Sequence, residues 1–137
     1  MPIIIEHLAG GGEEVSFPRN GKAPVDPYLQ FQKAMGLSDF DNTYLKIHGL
    51  GEFNKRPDVL GDKFDMEFFD HIPPLLEIAK TSFGHRRIMW GSDYPPVSGR
   101  EGYRNSMKSV TMNPVFSAPT EREWVMGKTA LTLFDFE

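Results

Sequence analysis

Three stretches of strand-forming residues alternate with helix-forming ones, and that order narrows the fold more than any other feature of this chain. Pro2-Ile3-Ile4-Ile5-Glu6-His7 opens with a β-branched run that barely alternates, as expected of a strand buried on both faces. Asn42-Thr43-Tyr44-Leu45-Lys46-Ile47-His48 alternates and is rich in strand formers. Arg87-Ile88-Met89-Trp90-Gly91 supplies the third strand. Between the first two, Gly10-Gly11-Gly12 and the segment 18–24 carry turn signals, and a helix is expected over 25–40, started by Asp26 and Pro27. Tyr28, Leu29, Phe31, Met35 and Leu37 are its expected apolar stripe. A polar stretch at 49–65 precedes a helix over 66–83 that begins afresh at Pro73-Pro74, with Leu75, Leu76, Ile78 and Ala79 as its apolar face and Gly84 as its cap. Further helices are expected over 100–111 and from Thr120-Glu121-Arg122-Glu123, which has capping-box spacing, through Trp124 and Val125. An apolar finish follows at 130–134.

Strand, loop and helix in this repeating order mean parallel strands joined by crossover helices. The expected class is α/β. Three strands suit either a small open sheet or three eighths of a (β/α)8 TIM barrel, and periodicity alone does not separate these. With 137 residues, 39% hydrophobic and 25% charged, the chain fits one domain over 1–137 with a single core. No internal repeat or linker divides it.

Composition removes several kinds of function. A net charge of -4 with scattered cations argues against nucleic acid held through phosphates. The adjacent pair Arg86-Arg87, beside an expected strand, suits a solvated edge or a helix C-terminus better than a binding patch. Zero cysteines exclude disulfides, thiolate metal sites and a cysteine nucleophile, and agree with a cytoplasmic location. No apolar run approaches the roughly 20 residues of a membrane helix, and Met1-Pro2-Ile3-Ile4-Ile5 is too short for a signal-peptide core.

The position of the ionisable residues is more telling. His7 ends the first strand, His48 ends the second, and Asp93 follows the third. In parallel α/β folds the C-terminal strand ends form the rim on which active sites are built. Carboxylate and imidazole on one rim suit water activation and carbonyl polarisation. Each also has a plainer reading as a loop or turn residue that hydrogen-bonds locally. His71 and His85 fall at helical positions and Glu52 in a polar loop, where structural or solvated roles are expected. Gly10-Gly11-Gly12 matches neither the Walker phosphate loop nor the dinucleotide fingerprint, and no Gly-x-Ser-x-Gly elbow is present.

Arg87-Ile88-Met89-Trp90-Gly91-Ser92-Asp93-Tyr94-Pro95-Pro96 resembles the amidohydrolase-related family (the amidohydrolase 2 branch), whose last barrel strand runs into Gly-Ser/Thr-Asp-Tyr/Trp-Pro. Ile3-Ile4-Ile5-Glu6-His7-Leu8-Ala9-Gly10 looks like that family's sixth strand, and Asn42-Thr43-Tyr44-Leu45-Lys46-Ile47-His48-Gly49-Leu50 like its seventh. Gly127-Lys128-Thr129-Ala130-Leu131-Thr132-Leu133-Phe134 resembles the closing Gly-x-Asn-Ala-x-x-Leu-Phe, with Thr129 in place of Asn. The resemblance covers essentially the whole chain and implies the C-terminal part of a TIM barrel of metal-dependent hydrolases, lactonases and decarboxylases.

By that resemblance Asp93 is the last-strand aspartate, a metal ligand and the proton acceptor for attacking water. His7 is the sixth-strand histidine, which binds the metal or polarises substrate. His48 falls where relatives carry a small polar residue and is expected, with Tyr94, to contact a small-molecule substrate. The implied cofactor is a divalent metal, zinc first. The family's His-x-His is missing, so the chain alone is expected to lack a complete site and to show no appreciable turnover. The expected partners are a complementing N-terminal barrel fragment or further copies of the chain. The alternative is a non-catalytic α/β module that pairs with a partner chain or with itself through an open strand edge.

Overall fold

The computed structural model describes residues 1–10, 29–48, 74–99 and 101–136. Residues 11–12, the segment 18–24, Asp26, Pro27, Tyr28, Glu52, His71, Pro73 and the stretch 49–73 lie outside them. The three expected strands are present: β1 (Ile3–Ile5), β2 (Thr43–Ile47) and β3 (Ile88–Trp90). All pair parallel in the order β1-β2-β3, with Ile5 opposite Leu45 and Leu45 opposite Ile88.

Because strand side chains alternate between faces, this register sorts the sheet. Ile5, Leu45, Ile47, Ile88 and Trp90 face the helices, and Leu45, Ile47 and Ile88 are wholly buried. On the opposite face the same register lines up Glu6, Lys46, His48, Met89 and Gly91. One face is therefore hydrocarbon and the other carries most of the ionisable groups.

The helical layer packs on the hydrocarbon face. Helix α1 (Leu29–Met35) buries Phe31 and Met35, while Leu29 and Leu37 of the expected stripe stay exposed. The expected helix over 25–40 stops early. Gly36 opens a tighter turn, Gly36–Asp39, and Thr43 Oγ1 donates to the carbonyls of Leu37 and Phe40, fixing the chain's entry into β2. Helix α2 (Leu75–Phe83) buries Leu75, Leu76, Ala79 and Phe83, close to the expected face, and ends at Gly84 with φ 68°. A positive φ is the conformation glycine adopts without a Cβ penalty.

Helix α3 (Tyr103–Thr111) starts after Gly102 rather than at residue 100. Helix α4 (Pro119–Glu123) begins before the expected capping box, because Pro119 at the first helical position presets φ and Ala118 becomes the cap. Alanine has no oxygen to offer, so half of a box forms: Ala118 N–H donates to Glu121 Oε2 at 3.3 Å. A π turn (Trp124–Lys128) leads into α5 (Thr129–Leu133), so the apolar finish is helical, and Leu131 in it is exposed. Thr129 is fully buried and its hydroxyl donates to the Arg86 carbonyl, tying the tail to the approach of β3. Arg87 donates to the carbonyls of Ser38 and Phe40, and Arg86 lies 5.0 Å over the Trp124 ring. Both arginines are thus engaged in the fold. Among the described residues no helix is long and apolar enough to cross a membrane.

Candidate metal centre

The three strands deliver His7, His48 and Asp93 to one place. One potential ligand atom from each lies within 4.8 Å of the others, the only such grouping among the described residues. The His7 and His48 rings sit with centroids 3.8 Å apart, and His48 Nδ1 is 3.5 Å from Asp93 Oδ1. The His48 side chain is 6% exposed and that of Asp93 10%, so the cluster is shielded on its inner side, while His7 reaches solvent.

The backbone is bent to achieve this. His7 and Asp93 have φ of 52° and 56°, and Leu8 and Ala9 follow His7 in the same left-handed region. Non-glycine residues visit this region rarely, and successive ones more rarely still. Leu8, with no exposed surface, anchors the turn in the core. After β3, Val97 N–H donates to the Asp93 carbonyl and Tyr94 N–H to Ser92 Oγ, which steadies the turn around the aspartate.

The electrostatics favour a neutral His48. Burial and the neighbouring His7 hold its pKa below the ordinary imidazole value, against the opposing pull of Glu6 and Asp93. For Glu6, burial works to raise the pKa, but the hydrogen bond and charge of Lys46, helped by His48, outweigh it and keep the carboxyl below its usual range. Glu6 Oε1 accepts from Lys46 Nζ at 2.7 Å, and Glu6 Oε2 lies 2.9 Å from His48 Nε2.

Of the residues picked out from sequence, His7, His48 and Asp93 converge. Tyr94 is 70% exposed beside Asp93. Trp90 packs on the core and meets Tyr103 edge-on at 5.5 Å, and His85 lies 4.0 Å from Glu121, away from the cluster. Glu6 and Lys46 were not picked out. Their signal was available only through register, which sets one directly beside the other across β1 and β2.

The family model described as Amidohydrolase matches residues 1–136. No curated protein matches the chain. Among solved structures, a zinc-bound amidohydrolase of Burkholderia multivorans superposes with TM-score 0.70 at 21% identity, covering 96% of this chain and 43% of its own. The same Burkholderia protein with bound HEPES gives TM-score 0.72 at 20% identity, with the same coverages. A Pseudomonas putida protein provisionally assigned as a 2-pyrone-4,6-dicarboxylic acid hydrolase gives 0.64 at 19%, covering 100% of this chain and 45% of its own. The chain thus spans less than half the length of these relatives, and its three parallel strands with their helices are an open part of their (β/α)8 barrel. With a family match along almost its entire length, the chain belongs to the amidohydrolase family.

Proposed function

We propose that His7, His48 and Asp93 hold a divalent metal, zinc first, in a hydrolase site acting on an ester, lactone or amide carbonyl. The observation that carries this is the meeting of three ligand atoms, one from each strand end, within 4.8 Å. Two imidazoles and a carboxylate match the donor sets of catalytic zinc sites that leave a position for water. His48 Nδ1 fits too: it is buried and makes no hydrogen bond among the described residues, and when it carries no proton its lone pair opposes a second acceptor, Asp93 Oδ1, at 3.5 Å. A cation between them relieves that opposition. On this reading His48, expected from sequence to touch substrate, serves the metal instead.

A bound divalent ion supplies Lewis acidity toward the carbonyl oxygen and acidifies water. Asp93 would help hold the ion and would accept the proton of the attacking water. His7, at the exposed side of the cluster, would complete the donor set from the side open to solvent. Tyr94, exposed next to Asp93, contacts the small-molecule substrate. Non-oxidative decarboxylation is the close variant for the same residues. The sequence holds no His-x-His, so turnover by these residues alone stays below detection.

Titration of the 137-residue chain with zinc and with cobalt tests the site. Binding at one equivalent is expected, with affinity falling at least about tenfold in Asp93→Asn and in His48→Ala. Equal binding by the wild type and both variants would sink the assignment.

A further inference from the structure

The nitrogen of His48 that points away from Asp93 has two claimants. Glu6 Oε2 lies 2.9 Å from Nε2, and the backbone N–H of His7 reaches the same Nε2, also at 2.9 Å. One ring nitrogen of a neutral imidazole cannot donate to a carboxylate and accept from an amide at once. With the proton on Nδ1, the His7 amide keeps its acceptor and the proton faces Asp93 Oδ1 at 3.5 Å, longer than a good N–H···O bond, but the Nε2 lone pair faces the Glu6 carboxylate at 2.9 Å. With the proton on Nε2, the carboxylate receives a charge-assisted hydrogen bond at 2.9 Å, at the expense of the neutral bond from the His7 amide. Hydrogen bonds to ionised groups are roughly twice as strong as neutral ones, so the second arrangement prevails. It leaves the Nδ1 lone pair facing Asp93 Oδ1 at 3.5 Å.

Glu6 is itself held. Lys46 Nζ donates to its other oxygen at 2.7 Å, and the Lys46 stem runs where Gly91 has no side chain. A Cβ on Gly91 would stand 2.9 Å from Lys46 Cδ and 3.3 Å from Cγ. Glu6 follows β1 and continues its register to stand beside Lys46 of β2, while Gly91 follows β3 two residues beyond Met89, the partner of Lys46.

We propose that Glu6, tethered by Lys46, is a positioning residue that keeps the His48 proton on Nε2 and presents the Nδ1 lone pair to His7 and Asp93. A carboxylate behind a ligating imidazole fixes the ring's tautomer and orientation. The use of that lone pair rests on the metal reading above. The tautomer does not, because it can be measured without metal.

The full chain, labelled with nitrogen-15 and free of metal, is examined by imidazole NMR at about pH 8, above the ordinary histidine pKa. Signals are assigned to His48 by their loss in His48→Gln. The wild type is expected to carry its proton on Nε2, Glu6→Ala to move it to Nδ1, and Glu6→Gln to fall between. Zinc affinity is expected to drop about 10- to 100-fold in Glu6→Ala, with partial recovery in Glu6→Gln. Should Glu6→Ala fail to fold, Lys46→Met keeps the carboxylate but frees it, and is expected to give a mixed tautomer. A wild-type proton on Nδ1, a tautomer indifferent to Glu6, or undiminished zinc affinity in a folded Glu6→Ala protein would each overturn the positioning role. A tautomer that responds to Glu6 in a wild type that binds no metal supports Glu6 as the tautomer's determinant and rejects the metal reading.

Discussion

Left-handed backbone at His7, Leu8, Ala9 and Asp93 costs on the order of 1 to 2 kcal/mol per residue. Something must hold it, and at the first turn that is Leu8, fully buried among Phe31, Met35 and Leu45 of the core cluster. Leu8→Ala is therefore expected to destabilise the chain by about 2 to 4 kcal/mol in urea unfolding. It is also expected to weaken zinc binding, since the turn that aims His7 loses its anchor. Undiminished affinity in a clearly destabilised variant would separate the turn from the site. Gly91→Ala acts on the other side of the cluster. Its Cβ would displace the Lys46 stem, so zinc affinity is expected to fall, measured by the same titration, with less loss of stability than in Leu8→Ala. Placement of His7, His48 and Asp93 on one rim was legible because strand ends could be read from β-branched runs. The left-handed turn was not, since histidine, leucine, alanine and aspartate do not announce a positive φ as glycine does. Glu6 was illegible for a different reason: a lone glutamate after a strand reads as solvated until register sets Lys46 beside it.

Helix starts show where local spacing misleads. Thr120 to Glu123 has the spacing of a capping box, yet Pro119 moves the start forward and hands the capping role to Glu121. That carboxylate then serves two elements. It pairs with Lys80 Nζ of α2 at 2.6 Å as well as accepting from Ala118 N–H, while Lys80 also donates to the Val115 carbonyl. The Lys80 hydrogen bond, working against burial and aided by Ala118, holds the Glu121 pKa below its usual value of 4.5. A depressed folded pKa contributes stability that is full above the unfolded value and is lost as pH falls through the folded one. Glu121→Gln is accordingly expected to cost about 1 kcal/mol at neutral pH, with part of that from the cap. The gap between variant and wild type should narrow steadily once the pH is below 4.5, as both side chains become uncharged. Urea midpoints measured from neutral to acid pH check this, and a gap that stays constant would assign the loss to packing instead of charge. By contrast, α2 was read almost correctly, because its apolar face recurs at helical spacing and Gly84 marks its end.

At the scale of the molecule, the sheet is the decisive feature. Among the described residues β2 is paired on both sides, whereas β1 and β3 are each paired on one. Alternation of strand and helix was enough to predict parallel pairing, but whether three strands close on anything is a property of partners that no local pattern encodes. Unpaired edges present rows of N–H and C=O groups that recruit other strands. We expect the 137-residue chain to self-associate, an outcome that the non-catalytic pairing module would share with a barrel portion seeking its other strands. The edge involved can be identified. Ile3 N–H donates toward β2, to the Asn42 carbonyl at 2.8 Å, so by alternation the N–H of Ile4 points to the outer edge of β1. Ile4→Pro deletes that outward donor while leaving the β1–β2 ladder its own bonds, the arrangement in which proline is tolerated in an edge strand. Sedimentation velocity over a range of concentrations should show association in the wild type and less of it in Ile4→Pro, with similar circular dichroism. Association that Ile4→Pro leaves unchanged would move the contact to β3 or to the exposed Leu131, Phe134 and Phe136 of the tail. A wild type that stays a monodisperse, cooperatively melting monomer would show that the two edges are satisfied within the chain itself, and the expectation of a partner would fall with it.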